Sequence, residues 1–311
     1  MILDYHRPRL LFNAHLETIF PAMLRRVNNV SYQRERIQTT DDDFLDLDWL
    51  RQDSKKLVII SHGLEGNSSR AYMKGMAFAC SLNKFDVLTW NFRGCSEEMN
   101  RQLRFYHSGA TEDLDRIVQH AIQKKYTEIN LVGFSLGGNI TLKYLGERKT
   151  SPLVRKAVVF SVPVDLHASC LRISKPSNLV YARRFLKSLK EKVIQKSLLM
   201  PGLDTRNIEK IHTLVQFDDR YTAPLHGFHH ALDYYKKCSS IHFLDSIRIP
   251  TLLISAKNDP FLSEECYPIK QLQNHVFMKF ESPKYGGHVG FAQFNRNGLY
   301  WSEERALSFL T

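Results

Sequence analysis

No apolar run in this 311-residue chain is long enough to span a bilayer, which argues against an integral membrane bundle. The opening Met1-Ile2-Leu3-Asp4-Tyr5-His6-Arg7 lacks the apolar core and small-residue cleavage site of a secretory signal. A soluble, cytoplasmic protein is therefore expected. Cysteines number only five (Cys80, Cys95, Cys170, Cys238 and Cys266), scattered and without a C-x-x-C pair, so free thiols are expected rather than a disulfide frame. Cys95, beside Arg93-Gly94, reads as a packed thiol. His226, His229 and His230 lack the H-E-x-x-H spacing and any cysteine partner, which favours histidines on a helix face over a metal site. Neither metal nor cofactor is expected. The net charge of +11 comes with no recognised nucleic-acid motif, so no nucleic-acid partner is expected. A basic surplus equally attracts acidic substrates or anionic lipid head groups. Repeats, low-complexity tracts and long linkers are absent too, consistent with one domain over 1–311.

What is present is an ordinary globular composition, 43% hydrophobic and 24% charged. After an N-terminal arm (1–30), strands are expected at 31–38 and 44–50, separated by the acidic turn Asp41-Asp42-Asp43. Strands at 57–61, 86–91, 129–134 and 156–162 then alternate with helices at 71–82, 111–124 and after residue 135. The 111–124 segment carries Leu114, Ile117, Val118, Ala121 and Ile122 as one apolar stripe. Such alternation implies a mostly parallel sheet covered on both faces. Residues 163–249 break the rhythm with charged, helical sequence, expected to form a lid over the C-terminal edge of the sheet. Strands at 250–256 and 275–280 and a helix at 302–310 complete the pattern.

The chemistry starts at Gly133-Phe134-Ser135-Leu136-Gly137. A G-x-S-x-G pentapeptide between an apolar strand and a helix forces its serine onto a sharp turn with Oγ exposed. Small flanking residues let strand and helix approach closely. A serine hydrolase follows if an acid and then a histidine come later in the chain, and both do. Asp259 sits in Lys257-Asn258-Asp259-Pro260, where the 250–256 strand ends, and functional groups of open parallel sheets collect at strand C-termini. His288 lies in Lys284-Tyr285-Gly286-Gly287-His288-Val289-Gly290, flanked by glycines that can bring its ring to the serine. The expected roles are Ser135 as nucleophile, His288 as proton carrier and Asp259 as the group that orients the imidazole. Asp165, just after the preceding strand, is the alternative acid.

An oxyanion site is expected from His62-Gly63-Leu64-Glu65-Gly66, directly after the 57–61 strand. Its donors would be the backbone N–H groups of Leu64 and Leu136, the latter following the nucleophile. His62 reads as a residue that shapes this loop rather than as a proton carrier, and Asp218 and Asp219 as caps or ion-pair partners.

With these residues placed, the chain resembles the YheT-like branch of the α/β-hydrolases, the AB hydrolase 4 family, over nearly its whole length. The segments that carry the resemblance are Asn13-Ala14-His15-Leu16-Glu17-Thr18-Ile19-Phe20-Pro21, His62–Gly66, Asn91–Cys95, Tyr106–Gly109, Gly133–Gly138, Phe217–Asp219 and Gly286–His288. The N-terminal segment is the most specific, since G-x-S-x-G is shared by the whole superfamily. The resemblance implies an α/β-hydrolase fold and a carboxylic-ester hydrolase, and the triad order, oxyanion loop and apolar lid add the expectation of short- to medium-chain acyl esters. Its catalytic serine, aspartate and histidine match Ser135, Asp259 and His288. Acyl transfer or thioester cleavage on the same residues, or apolar-ligand binding without catalysis, are the alternatives.

Residues 179–198 place Arg183, Arg184, Lys187, Lys190, Lys192 and Lys196 among Leu179, Leu186, Leu189 and Val193 at helical spacing. The simpler expectation is a helix with its apolar stripe packed inward and its charges solvated. The other is weak association with an anionic membrane surface.

Overall fold

The computed structural model describes residues 4–295 and 297–311. Helix α1 (Ala14–Leu24) comes first, then β1 (Gln33–Gln38), β2 (Phe44–Leu50), β3 (Lys56–Ser61), α2 (Ala71–Leu82), β4 (Asp86–Asn91), α3 (Thr111–Gln123), β5 (Glu128–Phe134), α4 (Leu136–Glu147) and β6 (Val154–Phe160). The chain then builds α5 (Leu166–Ile173), α6 (Leu179–Leu199), the short α7 (Leu214–Phe217) and α8 (Ala223–Leu225), and α9 (Ala231–Cys238). It returns to the sheet as β7 (Thr251–Ile254), α10 (Ile269–Leu272), β8 (Met278–Glu281) and α11 (Trp301–Leu310).

The eight strands form one sheet in the order β1-β2-β4-β3-β5-β6-β7-β8. β2 pairs antiparallel with β1 and β4, and the pairings from β4 through β3, β5, β6 and β7 to β8 are parallel. The period-2 alternation of strand side chains divides the core into two layers. Leu57, Ile59, Ile129 and Leu131 pack with α3 and α4 on one face. Val58, Ile60 and Val132 pack with Met73, Met76, Trp301 and Leu310 of α2 and α11 on the other. Strands buried on both faces read as unbroken apolar runs, which is why β3 to β6 are conspicuous in the sequence.

Differences from expectation are local. β6 begins at Val154 and ends at Phe160, and β8 starts only at Met278. His275 Nδ1 accepts the N–H groups of Phe277 (3.2 Å) and Met278 (3.0 Å), so a turn occupies the first positions of the expected strand. The first thirty residues contain a regular helix, α1, capped by the Asn13 side chain on the N–H of Leu16 at 2.9 Å. Among the described residues no helix is long and apolar enough to cross a membrane.

Candidate active site

Parallel strands β3, β5 and β7 end at one edge of the sheet, and each delivers part of the site there. Ser135 leaves β5 with φ 51° and ψ −118°, the strained geometry of a nucleophile turn, and α4 begins at the next residue. The turn can close because residue 133 is glycine: a Cβ there would lie 2.7 Å from the Gly137 carbonyl oxygen and 2.8 Å from the Gly138 nitrogen. The Ser135 N–H donates to the Phe160 carbonyl at 2.8 Å, tying the turn to β6.

His288 Nε2 lies 3.0 Å from Ser135 Oγ. On its other side Nδ1 is 2.9 Å from Asp259 Oδ2 and 3.1 Å from Oδ1. Asp259 is buried at the exit of β7, and the Phe261 N–H holds Oδ1 at 2.9 Å. The Phe261 ring leans on the imidazole with centroids 4.2 Å apart. The arrangement can therefore accept a proton from Ser135 through a histidine whose tautomer is fixed by a shielded carboxylate.

The His62–Gly66 loop follows β3 immediately. His62 is fully buried, and its Nε2 accepts the Phe92 N–H at 3.1 Å, which leaves the proton on Nδ1 to donate to the Gly63 carbonyl at 2.7 Å. Burial pushes its pKa down to about 3, so this imidazole is neutral and serves as a structural pin. Gly63 donates its N–H to the Tyr72 hydroxyl at 2.9 Å, and Gly66 returns to the Gly63 carbonyl at 3.0 Å. The Leu64 N–H has no acceptor among the described residues. The Leu136 N–H opens α4, where first-turn amides lack intrahelical partners.

A family profile described as the alpha/beta hydrolase fold matches residues 56–293. The chain belongs to the α/β-hydrolase family. It is 33% identical to the YheT protein of Escherichia coli over 96% of this chain and 90% of that one. It is 29% identical to a monoacylglycerol lipase of Saccharomyces cerevisiae over 89% of this chain, and spans 63% of the yeast protein. Among solved structures, the Pyrococcus furiosus esterase Pf2001 superposes with a TM-score of 0.60 at 19% identity, covering 92% of this chain and 95% of that one.

In this α/β-hydrolase the N-terminal helix reaches the site, which the sequence pattern alone did not reveal. Glu17 Oε1 accepts the Gly286 N–H at 3.1 Å, and Asn258 joins Glu17 Oε2 at 2.5 Å to the Gly287 N–H at 3.1 Å. Thr18 Oγ1 accepts the His288 N–H at 2.9 Å. Burial raises the Glu17 pKa against the pull of these hydrogen bonds. The available signal was Asn13 as an N-cap, which places Glu17 and Thr18 one turn into a helix.

Asp165 does not join His288; it caps α5, accepting the Ala168 N–H at 3.0 Å. The three histidines do not share a helix face. His226 bonds the Thr222 carbonyl after α8, His230 caps α9, and His229 lies between them. No group of three metal-ligating side chains occurs among the described residues. Asp218 accepts from Thr222 and Tyr235 rather than from a cation, and burial lifts its pKa to about 6. Arg93 is buried, pairs with the buried Asp43 and Asp113 and the part-exposed Asp41, and orders the loop after β4.

On α6 the expectation of solvated charges fails for two lysines. Lys192 pairs with Glu65 at 2.6 Å, and Lys196, fully buried, donates to Asn100 Oδ1 at 2.6 Å and the Arg104 carbonyl at 3.1 Å. Val180 (74% exposed) and Leu198 (81%) face solvent instead. Helical spacing alone cannot distinguish a snorkelling lysine from one drawn inward by carbonyl groups.

Two cavities meet at Ser135 and His288. One, of about 980 Å³, runs beneath α5 to α9 and is lined by Leu136, Ile173, Leu189, Leu214, Phe217 and Tyr221. The other, of about 1330 Å³, is bounded by α1, the His62–Gly66 loop and α6, with Ile19, Tyr72, Arg184 and Phe185 in its wall.

Proposed function

We propose that this chain, a carboxylic-ester hydrolase of the α/β-hydrolase family, cleaves short- to medium-chain acyl esters through an acyl-enzyme on Ser135. The observation that carries the reading is the unbroken Ser135–His288–Asp259 line, with contacts of 3.0 Å and 2.9 Å. In the first half-reaction His288 Nε2 takes the Ser135 proton as Oγ attacks the ester carbonyl. Negative charge then moves to the carbonyl oxygen, where the Leu64 and Leu136 N–H groups would receive it; one such donor is typically worth about a hundredfold or more in rate. Collapse expels the alkoxide, which leaves with the proton from His288. In the second half-reaction His288 deprotonates water, which attacks the acyl-enzyme, and the carboxylic acid leaves as Ser135 regains its proton. Asp259 keeps the proton of the neutral imidazole on Nδ1 and stabilises the imidazolium.

The apolar cavity beneath α5 to α9 suits the acyl chain, and residues 163–249 act in this reading as a lid. Oxygen esters are favoured by names among the relatives, a monoacylglycerol lipase and a structurally similar esterase. A fluorophosphonate probe together with p-nitrophenyl esters from acetyl to dodecanoyl tests the proposal. Labelling at Ser135, a turnover maximum at short to medium chains, and loss of both signals in Ser135→Ala are expected. Undiminished turnover in Ser135→Ala would reject it.

A further inference from the structure

The loop bearing Leu64 is gripped from outside the sheet. Glu65, the next residue, adopts φ 52°. Its carboxylate collects three donors: the Tyr106 hydroxyl at 2.7 Å, Ser188 Oγ at 2.5 Å and Lys192 Nζ at 2.6 Å. Tyr106 OH also accepts the Glu65 backbone N–H at 3.0 Å, so one phenol fixes both main chain and side chain of this residue. Ser188 and Lys192 are four positions apart on α6 and therefore share a face. The Glu65 and Lys192 side chains are only 7% and 12% exposed. Burial works against the ionised Glu65 carboxyl, but the Lys192 charge and the surrounding hydrogen bonds outweigh it and hold the acid below its usual range.

An ion pair serving only to fasten α6 could sit anywhere along the helix. This one ends on the residue between Leu64 and Gly66, within the turn that aims the Leu64 N–H. The same helix also meets both cavities: Phe185 lines each of them, Leu189 the apolar one and Ser188 the other. An acyl chain packed against Phe185 and Leu189 therefore bears on the helix that anchors the oxyanion loop.

We propose that Glu65 is a positioning residue that couples α6 to the oxyanion loop, so that seating of Lys192 and Ser188 on its carboxylate sets the Leu64 N–H in place. Acyl-chain recognition and oxyanion stabilisation are then linked through one helix. This inference rests on the esterase reading above.

The test compares Lys192→Met, Glu65→Gln/Lys192→Met and Ser188→Ala with the wild type. The readouts are kcat and KM on acetyl and octanoyl p-nitrophenyl esters, thermal midpoint, and backbone amide exchange over residues 62–66. Lys192→Met strands a buried anion and lowers the midpoint; the double variant removes both charges and recovers it. The coupling predicts that kcat in the double variant nevertheless stays at least about tenfold low, with KM within about twofold and exchange at 62–66 raised, since the loss falls on transition-state stabilisation. It also predicts that the octanoyl-over-acetyl advantage in kcat shrinks. Recovery of kcat together with the midpoint, or wild-type exchange at 62–66, overturns it. If Lys192→Met does not fold, Ser188→Ala removes a single hydroxyl and should show the same pattern at a few-fold amplitude; wild-type kcat and exchange there overturn the proposal. Amide exchange needs no turnover, so an inactive wild type would sink the esterase reading while the mechanical link remained measurable.

Discussion

The backbone N–H of His288 is held by a side chain 270 positions away in sequence: Thr18 Oγ1 accepts it at 2.9 Å. With Glu17 on Gly286 and Asn258 on Gly287, three consecutive amides of the histidine loop are fixed by side chains rather than by secondary structure. Glycine at 287 is required there, since its φ is +58° and a Cβ would meet the Thr18 nitrogen at 2.9 Å. The N-terminal helix is thus a support for the imidazole.

Thr18→Val keeps the shape of that support but deletes the acceptor, leaving the His288 N–H without a partner at a cost of about 1–3 kcal/mol. A fall of roughly tenfold in kcat with KM little changed is expected, because the isosteric valine keeps the wall that Thr18 gives the second cavity while the ring loses its setting. Steady-state kinetics on one p-nitrophenyl ester checks this. A change confined to KM would show that Thr18 acts on substrate binding instead.

Two aspartates compete for the orienting role in the sequence, and their surroundings separate them. Asp259→Asn should cut kcat by roughly a thousandfold or more while the fold persists, since an amide cannot enforce the same tautomer. Asp165→Asn should leave kcat within a few-fold and alter stability by less than about 1 kcal/mol, since asparagine also caps helices. Parallel kinetics and thermal melts of the two variants decide the assignment, and a larger kinetic loss in Asp165→Asn would reverse it.

The sheet was legible because β3, β5 and β6 are apolar on both faces, and the serine turn because its glycines are fixed by backbone contact. The G-x-S-x-G, Asp259 and His288 segments announced themselves by order and by strand exits. The role of Glu17 and Thr18 was hidden: a short capped helix does not specify what it packs against, and its partner loop is far away in sequence. The inward turn of Lys192 and Lys196 was hidden for a related reason, since their acceptors, Glu65, Asn100 and the carbonyl of Arg104, come from other loops. Periodicity reports which residues share a face, not which distant groups await them.

Gly133→Ala tests the packing demand of the serine turn. The added methyl would press on main-chain atoms of Gly137 and Gly138 at 2.7–2.8 Å, which cannot swing aside as a flexible side chain would. Destabilisation at or above the upper end of the usual overpacking range, about 1–3 kcal/mol, is expected, with activity lost alongside. Denaturant melts measure it, and a wild-type midpoint would show that β5 and α4 can separate more easily than the contacts imply.

Leu214 is buried in the wall of the apolar cavity. Leu214→Trp should shorten the preferred acyl chain, since each methylene that no longer fits forfeits about 0.8 kcal/mol of burial, roughly fourfold in kcat/KM. Profiles across acyl lengths read this directly: acetyl turnover should hold while octanoyl turnover falls. An unchanged profile would place the acyl chain in the other cavity.

Lys196 gives the pH prediction. Burial lowers its pKa from 10.5 to about 7, the Asp43 charge opposing that shift only in part. A lysine depressed in the folded state binds fewer protons there than in the unfolded chain between these two values. Stability therefore rises with pH across the window from about 7 to 10.5, and the penalty is fully present below pH 7. Lys196→Met removes this titration but also leaves Asn100 Oδ1 without its donor, while the Arg104 carbonyl keeps Asn100 Nδ2 at 2.8 Å, so the variant carries a constant cost of its own. The informative quantity is hence the slope: the wild-type melting temperature minus that of Lys196→Met should increase between pH 7 and pH 10. A flat difference would mean that the carbonyl cage keeps the ammonium charged and that burial is compensated by its hydrogen bonds.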